Sequence, residues 1–526
     1  MNQPGNDRNA FGRVMRHAVL ALFAFMATAG CSALGGESAR QVGTQVRANA
    51  DADASKHVDL VWYLLGDPHP DTEKVLAAWN KMLERDLNTT VKLYFTSWND
   101  WQTRYNLILT SGEPVDLIFT SSWANFYTLM KQGAFMDITD LIPAYAPQTW
   151  NTVPKKDWDD VSLNGRIYSV PATFTEYSPT GFIYREDWRK ELRLPPITNL
   201  DTLEAYMRGI KQNKPGVIPI NGPAYDGIKA LFKYWSGVEP IGGQDSMIGA
   251  SAYGQPQDIV VYPFTDEFAA FVKRMKKWAE SGFWSADALV SKEDPGQRML
   301  EGTGGLMWKN PSQAGGYDNE LRARDVRQEI GYFPFTRFHG YAVPNLASNN
   351  GMAVPKSSVH AERTLLVLDK LRNDPAYFDL MTYGMEGVHY ALAPDGKYII
   401  LPTPAGDSGK PQIYGISSWG WWYAPNMRGV QGAWPELDRL NAEFQAESKP
   451  NVYEAIPLDY APVRSQLAAV QTVMNQYGKP LMLGLVKDVD AALGEYREQL
   501  KLAGAEKLAD YVRAEAKAYY AAKGIK

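Results

Sequence analysis

The sequence predicts an α/β protein built of two lobes, and three observations carry that reading. Between residues 58 and 133 short apolar runs alternate with amphipathic helical patterns across brief polar turns, the arrangement of a parallel sheet covered on both faces. From residue 164 the pattern changes to a Gly turn and isolated strands, as expected of a chain crossing into a second body. At 526 residues, 45% hydrophobic and 21% charged, the chain is long enough for two or three cores and is not of disordered composition.

Taken in order, residues 58–65 (VDLVWYLL) read as a buried strand, followed by a helix over about 70–86 with Val75, Leu76, Trp79, Met82 and Leu83 on one face. A second strand at 91–96 leads into a helix over 98–110, stopped by Ser111-Gly112. A third strand at 116–120 runs into a helix over 123–132, closed by Gly133. In such a sheet the loops beyond the carboxyl ends of the strands share one rim, where ligands bind. Gly66-Asp67, Ser97-Trp98-Asn99 and Ser121-Ser122-Trp123 are those loops, which sets aromatic rings and polar groups on the rim. Strands at 164–171 and 181–184 then mark the crossover, and helices at 200–212 and 267–281 build the second lobe, the latter with an inward stripe of Phe268, Phe271, Met275 and Trp278. Residues 304–309 (GGLMWK) read as a strand returning to the first lobe and 351–354 as one going back, with mostly helical chain from 360 to the end. The expected lobes are therefore 57–175 with 299–345, and 176–298 with 346–526, joined by a hinge.

The N-terminus carries an address. Arg8, Arg13 and Arg16 precede an apolar run at 18–29 that is too short to span a bilayer and has the length of a signal-peptide core. It ends in Thr28-Ala29-Gly30-Cys31, which resembles the lipobox of bacterial lipoproteins, with Thr28 standing where Leu is usual. Cys31 is also the single cysteine, so no disulfide or cysteine nucleophile competes for it; a free core cysteine is the alternative. Residues 1–30 are thus expected to be a signal peptide and 31–56 a lipidated Cys with a flexible tether, whose reach would be roughly 25–30 Å. Such a body lies lipid-anchored at the cell membrane, on its extracytoplasmic side. The net charge of −5 leaves no positive excess to neutralise a phosphate backbone, so nucleic acid is not an expected partner.

Several segments together resemble one family. The lipobox, VDLVWYLLGD, the stretch from Ser111 to Leu117 before FTSSW, Lys131-Gln132-Gly133-Ala134-Phe135 and NGRIYSVP at 164–171 resemble family 1 extracellular solute-binding proteins of sugar ABC transporters. GMEGVHY at 384–390 and the helical tail around Leu502-Ala503-Gly504-Ala505 resemble its lipoprotein branch, whose C-terminal region has no known role. The resemblance implies a two-lobed periplasmic-binding-protein-like fold with hinge, interlobe cleft and helical C-terminal extension. It also implies a monomeric receptor that delivers carbohydrate, an oligosaccharide or glycoside, to permease subunits of an ABC importer without catalysis.

A sugar offers an apolar C–H face and an edge of hydroxyls, so its cleft needs aromatic rings beside carboxylates and amides. Trp98 with Asn99 and Asp100, and Trp123 with Asn125, supply that combination on the rim, with core packing as the rival role for both indoles. Glu176 and Tyr177 lie in the crossover, where a solvated surface Glu is the alternative. Trp308 and Asn310 end the strand at 304–309 and could face the cleft floor; Trp235 reads as core. Trp419, Trp421 and Trp422 are too many rings on one short loop for all to be buried.

Enzyme readings are poorly supported. Asp157, Asp159 and Asp160 read as a solvated loop and not as two carboxylates set across a scissile bond. The six histidines show no metal-ligand spacing, His389 reads as a core or turn histidine, and no P-loop or G-x-S-x-G occurs, so neither a metal nor a cofactor is expected. A surface glycan-degrading enzyme and a peptide receptor on the same fold remain as alternatives.

Overall fold

The computed structural model describes residues 53–525 apart from 99, 178–180, 244–245 and 402–413. The segment expected to be a signal peptide, Cys31, the expected tether up to residue 52 and Asn99 lie outside the described residues. Where the tether was expected to run on to Lys56, the chain instead turns at residue 53. Arg363, wholly buried, donates to the carbonyls of Asp53 (2.7 Å) and Leu87 (2.6 Å) and so fastens that turn to the body.

The first sheet begins as read. Strand β1 (Val58–Leu65) lies between β2 (Thr89–Thr96) and β3 (Leu117–Thr120), all parallel, with helices α1 (Thr72–Leu87) and α2 (Trp101–Ser111) as the crossovers. Strands β1 and β3 are nearly continuous apolar runs because both faces are covered, with Leu60, Trp62, Leu64 and Phe119 wholly buried, whereas the edge strand β2 alternates and leaves Lys92 and Tyr94 exposed. After β3 comes a 3₁₀ turn, Ser122–Ala124, and the short helix α3 (Phe126–Lys131). The chain leaves this lobe through β4 (Val170–Pro171).

The second sheet comprises β5 (Gly181–Arg185), β6 (Ile218–Ile220), β7 (Gly304–Lys309) and β8 (Ile330–Pro334), in the order β8-β5-β7-β6. Helix α4 (Leu200–Asn213) starts at Asn199, whose side chain accepts from two main-chain N–H groups in a capping box. Helix α5 (Tyr225–Ser236) packs on the sheet and α6 (Asp266–Glu280) packs on α5, where it buries the whole stripe of Phe268, Phe271, Met275 and Trp278. Strand β9 (Gly351–Ala353) then returns and pairs antiparallel with both β3 and β4, completing a five-stranded first sheet, β2-β1-β3-β9-β4.

These pairings correct two sequence assignments. Residues 304–309 do not return to the first lobe: Leu306 pairs with Tyr184 and Ile220, inside the second sheet. Residues 351–353 join the first lobe, and the helices that follow, α7 (Ala361–Asn373) and α8 (Pro375–Tyr383), pack on its core with Trp421. An apolar strand carries no mark of which sheet it enters, because that choice rests on partners remote in sequence.

The chain crosses again beyond Val430, which still bridges to Tyr398 on the first lobe; Trp434, Leu440 and Phe444 pack on the outer face of the second sheet. The remaining helices, including α9 (Arg464–Val473), α10 (Val489–Leu502) and α11 (Ala505–Lys523), bury Val470, Leu500, Leu508, Val512 and Tyr520 in the same core as α6. Among the described residues no helix is long and apolar enough to cross a membrane.

Candidate functional site

The register that pairs Leu65 with Thr96 and Tyr63 with Ile118 brings the carboxyl ends of β1, β2 and β3 level. Three indoles gather there. Trp98 (49% exposed) and Trp123 (39% exposed) lie with ring centroids 6.0 Å apart and planes 23° apart. Trp419, from the distant loop, adds its ring 5.8 Å from Trp98 at 47°. Beneath them Phe119, wholly buried in β3, touches Trp123 and Trp419 (5.9 and 6.0 Å), and Trp101 meets Trp123 edge-on. The group is thus an aromatic platform seated on Phe119, with Trp98 and Trp123 facing solvent.

Two glycines permit it. Gly66 has φ +116°, a backbone conformation that other residues rarely adopt, and with no side chain it leaves room for the loop that carries Trp419, since a Cβ there would lie 2.6 Å from Ser417 Oγ and 3.6 Å from Trp98 Nε1. A Cβ on Gly420 would strike Met352 Sδ of β9. The same 3₁₀ turn, Ser418–Trp421, sends Trp421 the other way. Trp421 is wholly buried and donates Nε1–H to Thr382 Oγ1 (3.2 Å), which removes it from the expected binding set.

Trp422 is half-buried, donates to Ser418 Oγ (3.1 Å) and meets the exposed Phe174 edge-on at 5.5 Å. Both rings line a cavity of about 90 Å³ with Glu176, Thr173 and Asn350. Glu176 sits on the outward crossover after β4, and its Oε2 accepts from the amides of Asn345 (3.4 Å), Asn349 (3.2 Å) and Asn350 (3.4 Å) on the return from β8 to β9. Its carbonyl also accepts from Asn345 N–H (2.9 Å), so Glu176 stitches two crossovers together at the hinge.

The other expected residues are placed apart. Asn125 is exposed, with φ 64°, at the joint between the 3₁₀ turn and α3, a backbone conformation that Asn tolerates. Trp308 packs half-buried on the second core over Gly227, with its Nε1–H unpartnered, and none of the described ring contacts links it to the platform. Asn310 caps the turn Pro311–Gln313, accepting from Ser312 Oγ (2.7 Å) and Gln313 N–H (3.3 Å).

The acidic trio is a short helix, Lys155–Asp160, and not a loop. Asp159 pairs with Lys155 at 2.9 Å, while burial pushes the carboxyls of Asp157 and Asp160 up. His69, Asp71 and His389, far apart in sequence, present ligand-type atoms within 4.8 Å of one another. Both imidazoles, however, accept main-chain N–H bonds at Nδ1, His69 from Asp71 (3.1 Å) and His389 from Met385 (2.9 Å). The neutral rings then carry their protons on Nε2, where His389 donates to Asp71 Oδ2 (3.1 Å). No ring lone pair is left for a cation, and the trio is a hydrogen-bonded clamp on the loop after β1.

Two α/β lobes joined by several chain crossings, with an exposed group of aromatic rings at the strand ends of the first lobe, have the make-up of a hinged binding protein. The sequence of residues 69–376 matches the family described as bacterial extracellular solute-binding protein, and the chain belongs to that family. Residues 457–521 match a second family, described as a domain of unknown function (DUF3502). A carbohydrate ABC transporter substrate-binding protein of Streptococcus pneumoniae serotype 4 is 22% identical over 456 residues, covering 86% of this chain and 89% of the relative. The polygalacturonan/rhamnogalacturonan-binding protein YtcQ of Bacillus subtilis is 25% identical over 387 residues, 70% and 74% of the two chains. The fold is similar to the crystal structure of the N-glycan transport solute binding protein NgtS of Streptococcus pneumoniae, with a TM-score of 0.71 at 19% identity over 89% of this chain and 100% of that one.

Sequence reasoning missed Ser417 and the clamp of His69, Asp71 and His389. The Gly66-Asp67 turn after an apolar strand was a legible signal for the first loop; nothing in the sequence ties residue 417 or 389 to it.

Proposed function

We propose that this protein is the substrate-binding subunit of an ABC importer for carbohydrate, an oligosaccharide or glycoside, held by a lipid on Cys31 outside the cytoplasm and passing its ligand to the permease without chemical turnover. The observation that carries the reading is the platform of Trp98, Trp123 and Trp419, open to solvent at the strand ends of one lobe. Indole faces match the C–H faces of pyranose rings, and consecutive centroids 6.0 and 5.8 Å apart suit an extended chain of sugars better than a lone monosaccharide. Glu176 and its asparagines supply hydroxyl partners at the hinge, beside Phe174 and Trp422. The named functions of the curated relatives, a carbohydrate ABC transporter substrate-binding protein and a polygalacturonan/rhamnogalacturonan-binding protein, support the same ligand class. Closure then follows from contacts that both lobes make with one ligand.

The test is a thermal-shift screen of the protein carrying Cys31→Ser against neutral and uronic-acid oligosaccharides. A ligand at a hundred times its Kd stabilises by about 2.7 kcal/mol, a readily measured rise in Tm. Stabilisation by a sugar that is lost in Trp98→Ala is the expected result. Stabilisation by oligopeptides alone, or cleavage of any glycan in the panel, would overturn the reading.

A further inference from the structure

Residues 451–458 touch both cores at once. Tyr453, Ile456 and Leu458 are buried in the second core, while Ala455 between them packs on the first. From this stretch Glu454 reaches the base of the aromatic platform: Ser122, next to Trp123, donates to Glu454 Oε1 at 2.5 Å. The other carboxylate oxygen accepts from Asn451 Nδ2 (2.8 Å), and that amide also reaches the carbonyl of Pro344 (3.3 Å) on the return from β8 to β9.

Helix α3, which starts three residues after Trp123, is gripped along the same side. Thr128 Oγ1 donates to Leu458 O (3.4 Å), and Lys131 Nζ donates to Pro457 O (3.3 Å) and Glu515 Oε2 (3.2 Å). Thr128 and Lys131 are three residues apart and therefore share a helix face. Pro457, Leu458 and Glu515 all belong to the segment matched as a domain of unknown function. Each polar contact is weak alone, particularly the half-exposed ion pair. They act on one rigid turn-helix unit, though, and drawing the lobes apart would break them together, leaving the Glu454 carboxylate without its Ser122 partner.

We propose that the C-terminal region, through Glu454, the carbonyls of Pro457 and Leu458, and Glu515, is an intramolecular clamp that holds the Ser122–Lys131 unit on the second lobe and so sets where the aromatic platform stands relative to that lobe. Glu454 is a positioning residue in this scheme and Glu515 a second one. The ligand matters to the proposal only through the meaning of the platform, which rests on the reading above; the position of the two lobes is measurable with no sugar present.

The experiment uses the full chain in a Cys31→Ser background, with spin labels at Lys92→Cys on β2 and Lys277→Cys on α6, both exposed, one on each lobe. Pulsed electron-spin distance measurements are made without ligand. We expect Glu454→Ala and Lys131→Glu each to lengthen or broaden the interlobe distance, and the exchange Lys131→Glu with Glu515→Lys to bring back the parental distribution. Glu454→Gln, which keeps an acceptor for Ser122, should stay closer to the parent than Glu454→Ala. Unchanged distributions in all variants would overturn the clamp. So would a loss of folding in Lys131→Glu that the exchange repairs with no difference in interlobe distance, because the pair would then be only structural. Failure of every sugar to bind would leave these distances readable and would count against the ligand reading alone.

Discussion

At the scale of single residues, the two tryptophans Trp421 and Trp98 are opposites. Trp421 is wholly buried with its indole N–H bonded to Thr382, so Trp421→Ala should cost about 3–5 kcal/mol and depress Tm in chemical or thermal melts. Trp98 is half-exposed, and Trp98→Ala should change stability by about 1 kcal/mol or less while weakening carbohydrate binding at least tenfold, about 1.4 kcal/mol, by calorimetry. The sequence could not tell the buried Trp421 from its neighbours Trp419 and Trp422. In SWGWWY the rings are adjacent, and their directions depend on Ser417 entering the turn at φ 55° and on Gly420 fitting over Met352. By contrast Trp98 and Trp123 could be placed on the rim from sequence, because they lie two and three residues beyond the ends of β2 and β3, which both pair parallel with β1. Gly66→Ala tests the seating of that group. With φ +116° and Ser417 Oγ in the way, it should cost about 1–3 kcal/mol and alter the tryptophan fluorescence.

At the scale of elements, the helical periodicities translated directly: the α6 stripe is buried residue for residue. Strands β7 and β9 did not, since their partners lie in sequence-remote strands and their apolar faces fit either sheet. The second lobe also holds an aromatic stack that periodicity does not announce, in which His339 lies 3.7 Å from Tyr341 and 5.4 Å from Tyr234. Burial, with the Lys449 ammonium close by, holds His339 down at about 4, against an ordinary value of 6.5. The unfolded chain therefore takes up that proton first on acidification. The stability His339 contributes is complete above about pH 6.5 and is lost as pH falls toward about 4. Glu239, which accepts from Tyr341 at 2.6 Å and whose carboxyl burial pushes up, titrates with the opposite sign. The measurement is accordingly a difference. His339→Phe, which keeps a ring in the stack, should show a shallower fall of Tm between pH 6.5 and 4 than the parent.

At the scale of the molecule, the C-terminal helices are no appendage. Leu508, Val512, Ala516 and Tyr520 share one core with Phe268, Phe271 and Trp278 of the second lobe. A chain ended at residue 456 would open that core to water, and we expect it to aggregate or to lose cooperative unfolding, checked by calorimetry and soluble yield. A folded, cooperative product would show the two parts to be independent. The two-lobed plan was readable from the change of pattern near residue 164, whereas the allotment of everything beyond residue 299 depended on which sheet each strand joins. Finally, the stacked seating of Trp98 and Trp123, with planes 23° from parallel at 6.0 Å, brings two chromophores within range of exciton coupling. The receptor thus carries a built-in optical gauge, and near-ultraviolet circular dichroism of the unlabelled protein will register any guest that settles on those rings.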